Sequence, residues 1–174
     1  MDMDGATLKS SIEQAFAGVQ PPPPWSLVNS QEGTEPALLA DEFKDKTDWR
    51  ALDAAFIDQA PDSFGTALSF FSDEAFRYYL PAYLLADIDG KLQQADPALA
   101  LTHGLDSSSR DEKVNPRRYG ERTWFDHARH KFAMFTRVEK DAIAGYLFYK
   151  VQRETLADPE KQRIQEALEN YWQK

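Results

Sequence analysis

The 174-residue chain has no cysteine, which excludes disulfides, thiolate metal ligands and a cysteine nucleophile. It also has no run approaching the roughly 20 apolar residues that a membrane-spanning helix needs. Its N-terminal MDMDGATLKSS is acidic where a secretory signal would be basic and then apolar. These absences lead us to expect a soluble, cytoplasmic protein without membrane contact. Glycine is sparse, with 8 residues, and none falls in a phosphate-cradling loop or a dinucleotide fingerprint. There is no G-x-S-x-G elbow, no H-E-x-x-H pair, no heptad run and no internal repeat. No cofactor is implied.

Apolar residues are plentiful at 42% and aromatics reach 13%, so a chain of this length is expected to bury a real core as a single domain over residues 1–174. Lys and Arg number 20 against 29 Asp and Glu, a formal net charge of −9. That balance argues against nucleic acid and points to a basic protein partner. The charge is uneven. Residues 105–131 hold seven basic side chains, Arg110, Lys113, Arg117, Arg118, Arg122, Arg129 and Lys131, against five acidic ones.

Periodicity places Leu8, Ile12 and Phe16 on one face of a first helix over residues 7–17. Pro21–Pro24 follow, and residues 19–34 read as a stiff proline-rich connector. Thr34 is placed to cap a second helix, and Thr47 or Asp48 a third. The segment APDSFG reads as a turn. ALSFF at 67–71, residues 98–102 with their ALAL run, and residues 130–135 are too short to assign by period, so a small two- or three-stranded β element is kept open there.

Ser72 is an N-cap candidate, with Asp73 and Glu74 complementing the helix that follows. Phe76, Tyr79, Leu80, Tyr83 and Leu84 then recur at helical spacing, and Pro81 interrupts them. An interior proline removes the amide that would serve the Arg77 carbonyl and costs about 3 kcal/mol if unrelieved, so a kink or break is expected. Residues 105–124 are polar and marked by Gly, Pro and Ser, and read as a long basic loop. Thr136 with Glu139 forms a capping-box pattern, and Asp158-Pro159 opens a last helix. The fold expected is mainly α, with about six helices.

FFSDEAFRYYLPAYLLADIDG, followed by FTRVEKDAIAGYLFYK, resembles an uncharacterised bacterial family of small soluble proteins over about residues 68–153. The resemblance implies a bacterial source and a shared helical core. It supplies no catalytic residue.

Several groups of side chains could carry chemistry. Arg77 beside Tyr78, which projects off the main aromatic stripe, could receive an anionic group. Arg117, Arg118 and Tyr119 form an anion- or partner-contacting candidate in the basic loop. His127 and His130, one helical turn apart with Asp126 adjacent, are the metal candidates. The leading reading is a non-enzymatic protein-binding module, adaptor- or immunity-like, that uses its acidic surface on a basic partner. The alternatives are a metal-dependent hydrolase built on Asp87, Asp89, His127 or His130, or a small-anion-binding protein.

Overall fold

Short helices account for the difference between the six expected and the ten observed among the described residues. The computed structural model describes residues 3–30, 32–59 and 67–174; the turn expected over 60–65 lies outside the described residues. The helices are α1 (Gly5–Ala15), α2 (Thr34–Phe43), α3 (Ala54–Gln59), α4 (Ala67–Phe70), α5 (Asp73–Ile88), α6 (Pro97–Thr102), α7 (Pro116–Tyr119), α8 (Trp124–Phe132), α9 (Arg137–Val151) and α10 (Asp158–Ala167). Four of them, α3, α4, α6 and α7, have only 4 to 6 residues. No periodicity can be read over so few positions. The β element is corrected accordingly: 67–70, 97–102 and 124–132 are helical. What remains of extended pairing among the described residues is two isolated bridges, Val28 with Phe71 and Lys113 with Thr123.

The chain divides into two compact units, one of residues 9–100 and the other of 1–8 with 101–174. In the first, α5 runs unbroken through Pro81. The expected break is absent because α5 is buried on nearly all sides, with 11 of its 16 residues inside; packing around the helix offsets the lost bond. Its start is fixed as the sequence required. The Ser72 hydroxyl accepts from the Ala75 amide at 3.1 Å and donates to the Ser26 carbonyl at 2.5 Å. Its end is a Schellman turn, in which Lys91 N donates to Ala86 O and Gly90 N to Asp87 O, with Gly90 at φ +70°. Asp89 caps that end through its backbone amide, and its carboxylate, which had been a metal candidate, pairs with Lys9 at 2.7 Å.

Phe43, Phe71 and Tyr79 pack ring against ring at centroid distances of 4.9 to 5.2 Å. The Tyr79 hydroxyl donates to the Lys46 carbonyl. The Tyr83 hydroxyl next in line is fully buried and has no hydrogen-bond partner among the described residues. Burial first, then the nearby Asp58, pushes its phenol far above the ordinary value. An unsatisfied buried hydroxyl costs about 1–3 kcal/mol. Tyr83→Phe is therefore expected to raise stability by about 1 kcal/mol, or about 2–4 °C in melting temperature. A variant that melts below the parent would show that the hydroxyl is satisfied in solution.

In the second unit the segment 101–105 is held by the C-terminal helix. Arg163 Nε donates to Thr102 Oγ1 at 3.1 Å, Asn170 Nδ2 to the Leu105 carbonyl at 2.8 Å and Trp172 Nε1 to the Leu101 carbonyl at 2.9 Å. In a regular α-helix, Arg163 and Trp172 would point about half a turn apart. A π turn at Leu168–Trp172, closed by Gln173 N on the Leu168 carbonyl at 2.9 Å, winds less per residue and narrows that difference. Trp172 then seats against Phe132 at 5.0 Å. Both α8 and α9 begin with reciprocal capping boxes, Thr123 with Asp126 and Thr136 with Glu139.

Candidate functional site

The sequence distributes its charge between the two units very unevenly. Residues 9–100 contain 6 Lys and Arg against 15 Asp and Glu, which is the whole net charge of −9. Residues 1–8 and 101–174 contain 14 of each and are neutral. Within the neutral unit, cations converge on one cleft of about 450 Å³, lined by Arg110, Phe125, Arg129, Phe135, Arg137, Lys140, Asn170, Tyr171 and Lys174. No Asp, Glu or His side chain is among these lining residues.

Each wall of the cleft has a local cause. Arg110 ends the 3-10 turn Ser107–Arg110, which starts from Asp106, whose carboxylate accepts from the Ser108 and Ser109 hydroxyls. Phe125 and Arg129 lie one turn apart on α8, whose register the Thr123 cap sets. Arg137 and Lys140 share a face at the start of α9. Asn170 and Tyr171 come from the π turn; π segments are rare and frequent at functional sites. Arg110 stands over the Phe125 ring at 4.3 Å, with Arg129 on the same ring at 5.9 Å, and Lys140 stands over Tyr171 at 4.9 Å. Arg110 Nη2 also donates to Asn170 Oδ1 at 3.4 Å. Arg137 is paired with Asp141 at 3.0 Å.

Two further hollows lack this single-sign character. One, of about 280 Å³, combines Glu13, Arg50, Asp89 and Lys91. The other, of about 450 Å³, combines His103, Asp106, Glu112, Arg163 and Glu166.

The residues singled out from sequence are dispersed. Tyr78, off the stripe on α5, is nonetheless buried: it is 4% exposed and its hydroxyl donates to the Thr47 carbonyl at 2.6 Å. Burial raises its phenol above the ordinary value. Arg77 is half-buried beside it on α5. Arg117, Arg118 and Tyr119 lie on the exposed α7, capped by Asn115, with Arg118 and Arg122 over the Tyr119 ring at 5.4 and 5.7 Å. Of the five basic residues from Arg110 to Arg122, only Arg110 lines the cleft. His127 meets Trp124 edge to face at 6.0 Å, and His103 packs on the same indole at 5.0 Å. Asp126 is engaged by the Thr123 amide, and its hydrogen bonds to Thr123, with Arg129 and Arg122 nearby, hold its carboxyl below the ordinary value. Among the described residues, no group of three or more His, Cys, Asp or Glu side chains is placed to hold a metal ion. Nor is any helix among them long and apolar enough to cross a membrane.

Arg137, Lys140, Asn170, Tyr171 and Lys174 were not found from sequence, because they join Arg110 only through tertiary packing. No curated protein and no solved structure matches the chain. A family model does, described as "Family of unknown function (DUF6714)" and matching residues 4–174, a wider range than the 68–153 of the sequence resemblance.

Proposed function

The chain belongs to that family of unknown function, and from this premise we propose that it is a binding protein, not an enzyme, and that it takes an acidic ligand in the cationic cleft. The observation that carries the reading is the convergence of five cations on aromatic walls, within a unit that is neutral overall and a chain that is strongly acidic. Guanidinium groups held over aromatic rings are partly desolvated and fixed, so they bind an anion at lower entropic cost than free surface side chains. The lining has no Asp, Glu, His or Cys side chain, and its proton-moving groups are limited to two lysine amines and the Tyr171 phenol, which favours binding over catalysis.

The test is a thermal-shift titration with sulfate, citrate and pyrophosphate at constant ionic strength. At least one of these anions is expected to raise the melting temperature of the parent protein. In an Arg110→Gln/Arg129→Gln variant the shift is expected to disappear, while an Arg117→Gln/Arg118→Gln variant keeps it. Both Arg110 and Arg129 are exposed, so the double variant should fold. Equal shifts in the parent and the Arg110/Arg129 variant would remove the cleft from consideration.

A second reading rests on the other unit. With its net −9 concentrated in residues 9–100, that unit suits a basic protein partner, in an adaptor- or immunity-like role. Such a partner would remain bound to the Arg110/Arg129 variant and would leave when salt is raised. Retention that salt does not affect would count against it.

A further inference from the structure

We infer that the ligand of the cleft is a small organic phosphate carrying at least two negative charges, an inference that rests on reading the cleft as an anion site. Charge sets the valence. Arg137 is already paired with Asp141 at 3.0 Å, and the Asp126 carboxylate acts on Arg129. Arg110, Lys140 and Lys174 have no carboxylate at ion-pair distance among the described residues. A monoanion would leave these three cations under-compensated. A phosphomonoester brings close to two negative charges at neutral pH, and a diphosphate more.

The directions of approach favour phosphate over carboxylate. The cations come from separate places in the chain: a 3-10 turn, α8, the start of α9 and Lys174. A carboxylate presents its lone pairs in one plane, whereas a terminal phosphate presents three oxygens around an axis and accepts from several sides at once. One guanidinium is set before any ligand arrives. Arg110 is fixed over Phe125 at 4.3 Å and by Asn170 at 3.4 Å, and Asn170 is itself anchored to the Leu105 carbonyl at 2.8 Å. Its planar fork matches a phosphate edge in a way a lysine cannot.

The organic part follows from size and surface. The cleft volume of about 450 Å³ lies in the range of small-molecule sites. It leaves room beyond a phosphate group against Phe135 and Tyr171, where a sugar or a ring can lie.

Calorimetric titration of the full chain with glucose 6-phosphate, ADP and citrate, at one ionic strength, tests the inference. An organic phosphate is expected to bind at least about tenfold more tightly than citrate, and Arg110→Gln/Arg129→Gln to weaken it by about tenfold or more. Arg110→Lys, which keeps the charge and loses the fork, is expected to fall between. If citrate binds as tightly as the phosphates and shows the same dependence on Arg110 and Arg129, the phosphate assignment is overturned and the anion site stands. If neither phosphate binds the parent protein, the assignment is also overturned. If binding ignores Arg110 and Arg129, the anion site itself falls.

Discussion

Asp58→Ala is expected to destabilise the protein by about 3 kcal/mol at neutral pH, lowering the melting temperature by about 6–12 °C. Asp58 stands near the end of α3 and collects three consecutive backbone amides from the far side of the Schellman turn: Gln93 at 3.1 Å, Gln94 at 2.9 Å and Ala95 at 2.9 Å. Its removal leaves those amides without their acceptor, the Gln93 and Gln94 amides open to water and the Ala95 amide part-buried. Each charge-assisted bond of this kind contributes about 1.5–3 kcal/mol, and the three are not additive. Asp58→Asn keeps one acceptor oxygen and should lose about half as much.

The same carboxylate gives a pH signature. Burial acts to raise its pKa, but the amides of Ala95, Gln94 and Gln93 together outweigh burial and lower it. A carboxylate depressed in the folded state adds stability above its unfolded value of about 3.9, and loses it as the pH falls through the folded value. The stability gap between parent and Asp58→Ala is therefore expected to be widest at neutral pH and to narrow in acid below the unfolded value. Denaturant melts at pH 7 and pH 3 would decide this. An unchanged gap would mean that the amides, and not the charge, set the contribution.

Gly104→Ala is expected to cost about 3 kcal/mol or more, because two independent penalties fall on one residue. Its φ is +83°, which disfavours any side chain. A Cβ there would also stand 2.8 Å from the Trp124 carbonyl and 3.2 Å from the Ala128 methyl, both on the first turns of α8. Gly90 and Gly120 have similar φ values of +70° and +62° but open space around them, so alanine at either isolates a backbone penalty, about 1 kcal/mol at Gly90 and more at Gly120, whose ψ of −125° lies outside the left-handed helical region. Chemical denaturation of the three variants in parallel would separate the terms. Equal losses at all three would show that α8 gives way and that the close approach is not rigid.

Local chemistry was readable in the chain, whereas long-range assembly was not. Ser72 and the Thr136–Glu139 pair declared their helix starts because a cap and its target amide lie within four residues. The Thr123–Asp126 box went unread because Asp replaces the usual Glu or Gln. ALSFF and ALAL could not be assigned because a single helical turn has no period to measure. Tyr78 was misplaced for a different reason: the stripe argument assumes one wet face, and α5 has almost none. The basic stretch was visible, and it contributes Arg110 and Arg129 to the cleft. Arg137, Lys140 and Lys174 meet them only after the helices have packed, and no spacing rule connects positions that far apart.

The π turn at Leu168–Trp172 makes the length of the chain there something selection can act on. Remove one residue from α10 with the π turn left in place, and every side chain beyond the deletion swings by about a quarter turn, carrying the indole of Trp172 away from the Leu101 carbonyl it now serves. Substitutions along this stretch can drift one at a time, but a single-residue gap has to be repaired elsewhere at once. Insertions and deletions should therefore be rarer between Arg163 and Trp172 than the exposed positions among them would suggest.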